Sequence, residues 1–318
     1  MRLSVCITTR NRAHSIGETL ECILRQCPDD VEVVVVDGAS TDGTVDVVTA
    51  IAERYPRLRL ICPPENSGLD ADYDRAVHEA RGEYVWLFAD DDLLVPDAVA
   101  RVLDVCAARP LVVIVDAAVY NKDYTKLERE RRMPAVGKEL YGEGETEAFF
   151  MDCVWHLTFI GAVIVRKTFW LSRERARYYG SEFIHCGVLF QAPIPGEIRV
   201  VREPLVKIRN GVGNWVSRWF EVWMHKWPSL IWSFTWIPQA KRAIVRAEPW
   251  RSPGRLLKAR ADGAYAWRHF RRFVMPHAKH PRQLLAPLLI LAVPQRSVAR
   301  ARGYVRGARG ALRRLGVM

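Results

Sequence analysis

Apolar and polar positions alternate in blocks along the first two thirds of the chain. LSVCITT (3–9) reads as a strand. RNRAHSIGETLECILRQ follows as a helix, with Ser15 as its cap and Glu18 three residues on. VEVVVVDG (31–38) is almost entirely branched apolar residues, the pattern of a central parallel strand covered on both faces. A turn and helix fill ASTDGTVDVVTAIAERY. LRLICPP (58–64) is a third strand, residues 70–80 form a helix, and GEYVWLFADDD is a fourth strand. Helix 96–108 and strand LVVIVDAAVY (111–120) extend the series. Strands and helices alternating every ~30 residues are the mark of βαβ units, so the pattern predicts an α/β fold on a mostly parallel sheet.

The pattern then loosens. Residues 121–148 are polar and mixed, an excursion from the regular α/β series. GAVIVRKTFW (161–170) returns to strand and helix character, and IRVVREPLVKIR (198–209) reads as a strand pair with a proline link. Beyond that no βα alternation survives, which divides the chain into an α/β domain over 1–210 and a helical extension over 211–318. Within NWVSRWFEVWMHKWPSLIWSFTWIP (214–238), Trp215, Trp219, Trp223 and Trp227 recur at i+4 steps. They share an arc with Val216, Phe220, Val222 and Met224, opposite Asn214, Ser217, Arg218, Glu221 and His225. Such a helix faces either a core or a membrane interface, and tryptophan favours the interface. LLAPLLILAVP (284–294) is apolar but too short to span a bilayer.

Charge sharpens this division. Of the net +11, residues 1–199 contribute −9, and residues 200–318, with 24 basic and 4 acidic side chains, contribute +20. Seven arginines and no acid lie from Arg296 onward. A basic rear seeks an anionic partner, and with no nucleic-acid module in the pattern the expected partner is an anionic membrane surface. The seven cysteines are scattered and form no C-x-x-C pair, which points to a reduced compartment and away from a disulfide framework or a zinc site. The opening residues lack a signal-peptide pattern.

In open parallel sheets, ligands bind at the carboxyl ends of the strands. Four ends here carry polar groups: Thr8, Thr9 and Arg10; Asp37; Asn66 after the third strand; and Asp90, Asp91 and Asp92. Three like charges at the close of an apolar run need compensation, by a cation or by a ligand rich in hydroxyls. Side chains alternate along a strand, so Asp90 and Asp92 are expected to aim at one point and Asp91 elsewhere. Two carboxylates with phosphate oxygens and water make a site for Mg²⁺ or Mn²⁺ that bridges a diphosphate. Asp37 is placed to accept from a base or ribose. The glycine-rich dinucleotide fingerprint and the GK[ST] phosphate loop are absent, which removes dehydrogenases and ATPases of those types.

Together, VCITTRNRAHSIGETLECILRQ, VEVVVVDGASTDGT, NSGLDADYDRAVHEARGEYVWLFADDDLLVPDA and GAVIVRK resemble the family 2 glycosyltransferases, inverting enzymes of the GT-A fold. The resemblance covers residues 1–210 and implies a Rossmann-like, mostly parallel sheet. It implies nucleotide contacts from Thr8, Arg10 and Asp37, and a further contact near the base or diphosphate from Asp70. It also implies a D-x-D motif at Asp90-Asp91-Asp92, whose first carboxylate meets the sugar or ribose and whose last meets the metal. Asp72 and Asp74 read as mostly structural, or as supports behind the residues that touch the ligand.

The family's Glu-Asp pair, which supplies the general base, is missing. Glu182 is the first candidate for that role, His185 the second and Asp152 the third. A narrower similarity is to bacterial enzymes of polysaccharide and O-antigen assembly, including abequosyltransferase-like members.

The expected protein is a metal-dependent, inverting glycosyltransferase, peripheral to the cytoplasmic face of the bacterial inner membrane. Its donor is a nucleoside-diphosphate sugar and its acceptor a polyprenyl-linked saccharide. No nucleic-acid partner is expected, and a homo-oligomer is left open. Its rivals are a sugar nucleotidyltransferase and a non-catalytic, membrane-bound sugar-binding protein.

Overall fold

A computed structural model describes residues 1–211 and 218–300. The chain forms two units, one of Met1–Gly213 with Phe234–Ala240, the other of Asn214–Ser233 with Lys241–Met318.

In the first unit, β1 (Leu3–Thr9), α1 (Ile16–Leu24), β2 (Val31–Asp37), α2 (Thr44–Ala52), β3 (Leu58–Ile61), α3 (Leu69–Glu79) and β4 (Tyr84–Phe88) alternate as the periodicity predicts. Every residue of β1, β2 and β4 is buried, which is why these strands read as unbroken apolar runs. β1 lies parallel to both β2 and β4, with Thr9 opposite Asp37 and Ile7 opposite Phe88. That register brings the polar ends of three strands to one edge. Trp86, fully buried, donates its indole N–H to the carbonyl of Gly161 at 2.9 Å. Replacing it with alanine would cost about 3–5 kcal/mol.

The chain continues through β5 (Leu93–Leu94), α4 (Ala98–Ala107), β6 (Val112–Tyr120), β7 (Leu127–Arg129), β8 (Leu140–Tyr141) and α5 (Thr146–Cys153). It ends the unit's regular structure with β9 (Val163–Arg166), α6 (Lys167–Leu171), α7 (Ile184–Phe190) and β10 (Ile198–Arg209). Among the described residues these strands form one sheet in the order β3-β2-β1-β4-β9-β6-β10-β5, with β7 on β6 and β8 on β10.

Here the structure corrects the expected fold. The sheet is mixed: β9 runs antiparallel between β4 and β6, and β5, β7 and β8 also pair antiparallel. Hydrophobic periodicity marks a strand but not its direction, which depends on where the preceding connection delivers the chain. β4 stops at Phe88, so the aspartates lie in a turn, where strand alternation does not apply. IRVVREPLVKIR is one strand whose register shifts around Pro204, a residue without an N–H for the ladder. Ser15 precedes α1 but makes no side-chain cap bond.

The expected membrane-associating extension is corrected as well. In the second unit, Phe220, Met224, Trp250, Leu256, Tyr265, Phe270 and Phe273 form a core, and Trp219 packs against it. Val222 and Trp227 are buried too. Of the arc's described residues, Phe220, Val222, Met224 and Trp227 are thus buried by protein, and Trp219 and Trp223 are half-buried. Among the described residues no helix is long and apolar enough to cross a membrane. Trp215 and the arginines beyond residue 300 lie outside the described residues.

Candidate active site

The ends of β1 and β2 and the loop after β3 converge. Thr8 is buried and Arg10 is exposed. The amide of Gly38 donates to the carbonyl of Thr9 at 2.8 Å, locking the two strand ends together. A Cβ on Gly38 would meet Asp72 Oδ2 at 2.9 Å, so a side chain here would have to displace the Asp72 carboxylate. Asn66 Oδ1 accepts from the amide of Gly68 at 3.0 Å. Asp37 is 1% exposed; its Oδ1 accepts from the Ser40 amide at 2.7 Å. Its Oδ2, also buried, has no hydrogen-bond partner among the described residues. An unmet buried carboxylate oxygen is costly in isolation, and a ligand hydroxyl or N–H is what would satisfy it.

The turn after β4 supplies the second half of the site. Thr9 Oγ1 donates to Asp90 Oδ2 at 2.8 Å. The Arg12 guanidinium lies 3.6 Å from Asp90 and 3.8 Å from Asp91. Asp92, 3% exposed, accepts at Oδ1 from the amide of Arg209 at 2.8 Å. The turn's backbone is gripped from outside. The Asp91 carbonyl accepts from Tyr124 Oη at 3.0 Å and from Arg209 Nε at 3.1 Å, and the Asp90 carbonyl accepts from Thr19 Oγ1 at 3.3 Å. Burial is the main force on all three carboxyls. It pushes Asp90 up to about 6, with repulsion from Asp91 adding to it. It raises Asp91, and it raises Asp92 well above the carboxylate range, with Asp91 and Asp90 reinforcing the shift.

Among the described residues no group of three His, Cys, Asp or Glu side chains encloses an ion site. The donor set nonetheless fits a hard cation of the Mg²⁺ or Mn²⁺ type. Magnesium-type sites use one or two carboxylates and take their other ligands from phosphate and water. Asp90 and Asp92 bring two carboxylates to this turn, with the charges of Arg12, Arg209 and Arg132 near it.

The three candidate bases fall in different places. Asp152 accepts from Tyr141 Oη at 2.7 Å, and Tyr141 faces Ile198 at the start of β10. Asp92 is bonded at the other end of β10, so the two are separated by roughly 30 Å of strand. His185 is 1% exposed, its Nε2 is 2.6 Å from the carbonyl of Leu157, and burial lowers its pKa to about 4. It is a neutral, interior ring. Glu182 is part-buried and precedes α7 on a loop beside α3. Asp70, expected near the base or diphosphate, accepts from the amides of Glu182 at 2.8 Å and Ile184 at 3.0 Å. Asp74 is structural as expected, accepting from Trp170 Nε1 at 2.8 Å.

Sequence reasoning did not single out Arg12, Thr19, Tyr124 or Arg209. Arg12 sits two residues beyond Arg10 in the strand-end run and was open to the same argument. Tyr124 and Arg209 reach the turn only through the sheet's topology.

Residues 4–173 match the family described as Glycosyl transferase family 2. The chain belongs to this family. Abequosyltransferase RfbV of Salmonella typhimurium strain LT2 is 26% identical over 223 residues, covering 66% of this chain and 67% of that protein. The succinoglycan biosynthesis protein ExoO of Rhizobium meliloti strain 1021 is 34% identical over 128 residues, 40% of this chain and 35% of that protein. The crystal structure of S. aureus TarS 1–349 in complex with UDP-GlcNAc superposes with a TM-score of 0.54 at 15% identity, covering 96% of this chain and 92% of the other. At that identity the likeness is one of fold. This family 2 glycosyltransferase thus carries a GT-A-like mixed α/β sheet, and the similarity to an abequosyltransferase does not fix its sugar.

Proposed function

We propose that the chain transfers a sugar from a nucleoside-diphosphate donor to a hydroxyl of a saccharide acceptor, with inversion, in surface polysaccharide synthesis. The observation that carries this reading is the shared edge itself. Asp37 brings an unmet buried oxygen there, and two strands away the Asp90–Asp92 turn brings three crowded carboxylates. Asp37 accepts hydrogen bonds from the nucleoside, with Thr8, Arg10 and Asn66 around it. Asp90 and Asp92 hold Mg²⁺ or Mn²⁺, which when bound supplies positive charge to the departing diphosphate. Asp91 and Arg12 complete the rim.

The acceptor oxygen forms its bond to the anomeric carbon as the bond from that carbon to the diphosphate breaks. The electron pair leaves on the diphosphate, and Glu182 takes the acceptor proton. Glu182 is preferred over His185 and Asp152 because it alone combines partial exposure with a place beside α3 at the site's edge.

The acceptor is proposed to be polyprenyl-linked, presented at the cytoplasmic face of a membrane. The electrostatic share of any contact between the basic rear and anionic headgroups should be screened by salt in vesicle sedimentation. Incubation with uridine, thymidine and cytidine diphosphate sugars tests the reaction. Release of a nucleoside diphosphate in step with glycosylated product supports it, whereas pyrophosphate release would mean nucleotidyl transfer.

A further inference from the structure

The loop that carries Glu182 is tied to α3 at two points one helical turn apart. At the first, both carboxylate oxygens of Asp70 are taken by the loop, Oδ2 by the amide of Glu182 and Oδ1 by the amide of Ile184. At the second, Asp74 Oδ2 accepts from Tyr179 Oη at 2.6 Å, while Trp170 Nε1 donates to Oδ1 and Arg175 Nε lies 3.0 Å from it. Residues four apart share one face of a helix, so Asp70 and Asp74 meet the loop together. Between these anchors the backbone is left-handed at Gly180 (φ +84°) and at Glu182 (φ +67°). For a glutamate that conformation is uncommon, and it persists only where its surroundings fix it.

The same helix reaches the other half of the site. Tyr73 Oη donates to the carbonyl of Phe88 at 2.9 Å, two residues before Asp90. α3 is thus a strut joining the end of β4 to the Glu182 loop. Asp70 is 3% exposed with both oxygens committed, which leaves it poorly placed to touch a nucleotide.

We propose that Asp70 and Asp74 are positioning residues that hold Glu182 in its left-handed conformation and so set the base against the carboxylate turn. This rests on Glu182 being the base. A misplaced catalytic group loses rate while the donor site is untouched.

The test compares Asp70→Ala, Asp70→Asn, Tyr179→Phe, Glu182→Gln and the double variant Asp70→Ala/Glu182→Gln. It reads kcat, KM, pH profile and UDP affinity by calorimetry. Asp70→Ala should lower kcat by roughly 10–100-fold and change UDP affinity less than about twofold. Its kcat-versus-pH profile should also differ from that of wild type. Asp70→Asn, which keeps one acceptor oxygen, should recover part of the rate. In the Glu182→Gln background Asp70→Ala should add less than about threefold, because residues acting through one group are not additive. If Asp70→Ala does not fold, Tyr179→Phe, which removes one hydroxyl at a half-exposed ring, carries the same comparisons with a smaller loss.

A tenfold loss of UDP affinity in Asp70→Ala, or losses that multiply in the double variant, would overturn the proposal. Normal turnover in Glu182→Gln alone shows that the base reading has failed and removes the proposal with it. An impaired Glu182→Gln beside an unaffected Asp70→Ala removes the positioning role only.

Discussion

On α3, each aspartate is matched. Asp70 takes two amides, Asp72 takes the hydroxyl of Ser67, and Asp74 takes an indole, a phenol and a guanidinium. In the turn after β4, Asp90, Asp91 and Asp92 instead crowd together. They share one threonine, one amide and the nearby charges of Arg12 and Arg209. Burial raises Asp70 and Asp72 as well as these three, so what sets the turn apart is repulsion within the run, which raises Asp90 and Asp92 further. Both stretches place three aspartates within five residues, yet one holds geometry and the other stores unmet charge. Matched carboxylates stabilise the fold. Crowded ones cost stability in the free protein, and binding of positive charge recovers that cost.

The largest effect that separates the two runs is Asp92→Asn. It should lower turnover by about 10²–10³-fold or more, as expected when charge stabilisation of a leaving group is lost. Asn keeps the acceptor for the Arg209 amide and removes a charge that burial disfavours. Thermal unfolding at neutral pH should therefore show a midpoint no lower than wild type. A clearly lower midpoint would make the turn structural, like α3.

Next is Glu182→Gln, expected to slow turnover by roughly 10²-fold with donor KM little changed, measured under saturating acceptor. A change in donor KM alone would move Glu182 from the reacting end to the donor site.

On the matched side, Asp74→Ala should cost about 3 kcal/mol in chemical denaturation, since a part-buried charge leaves three donors behind. A loss under about 0.5 kcal/mol, the range of an ordinary surface change, would break the contrast.

The smallest effect is a pH dependence. Burial, opposed by the amides of Glu182 and Ile184, raises Asp70 from 3.8 to about 6. A group whose folded pKa is raised contributes most below its unfolded value, and that contribution is lost as pH rises through about 6. The stability difference between wild type and Asp70→Asn should therefore shift against wild type between pH 4 and 6 and stay flat above 7. A slope of opposite sign would show that the amide bonds dominate over burial.

How far the sequence carried these distinctions follows from what each signal encodes. The runs of β1, β2 and β4 fixed their own burial, because a strand covered on both faces needs apolar residues throughout. The gathering of Asp37, Asn66 and the aspartate turn followed from the strand-end rule. The antiparallel insertion of β9 did not, since direction leaves no periodic trace. Nor did the grip of Arg209 and Tyr124 on the turn, which depends on β10 ending beside it. The tryptophan stretch misled for a related reason. An i+4 aromatic arc is the same pattern whether it meets lipid or protein, and here Phe220, Met224 and Trp219 pack with Trp250, Tyr265 and Phe273. DADYD and ADDD differ little in composition, and only the partners that the fold brings to them separate the matched run from the crowded one.

The most direct test of the central claim is calorimetric titration of a nucleoside diphosphate into wild type and Asp92→Asn, each with and without Mn²⁺. UDP, TDP and CDP would be tried in turn. The account predicts that Mn²⁺ tightens binding to wild type by at least about tenfold, or 1.4 kcal/mol. Asp92→Asn should keep the weaker, metal-free binding through Asp37 and lose the increment. An undiminished Mn²⁺ increment in the variant, or no binding of any of the three to folded wild type, would contradict it.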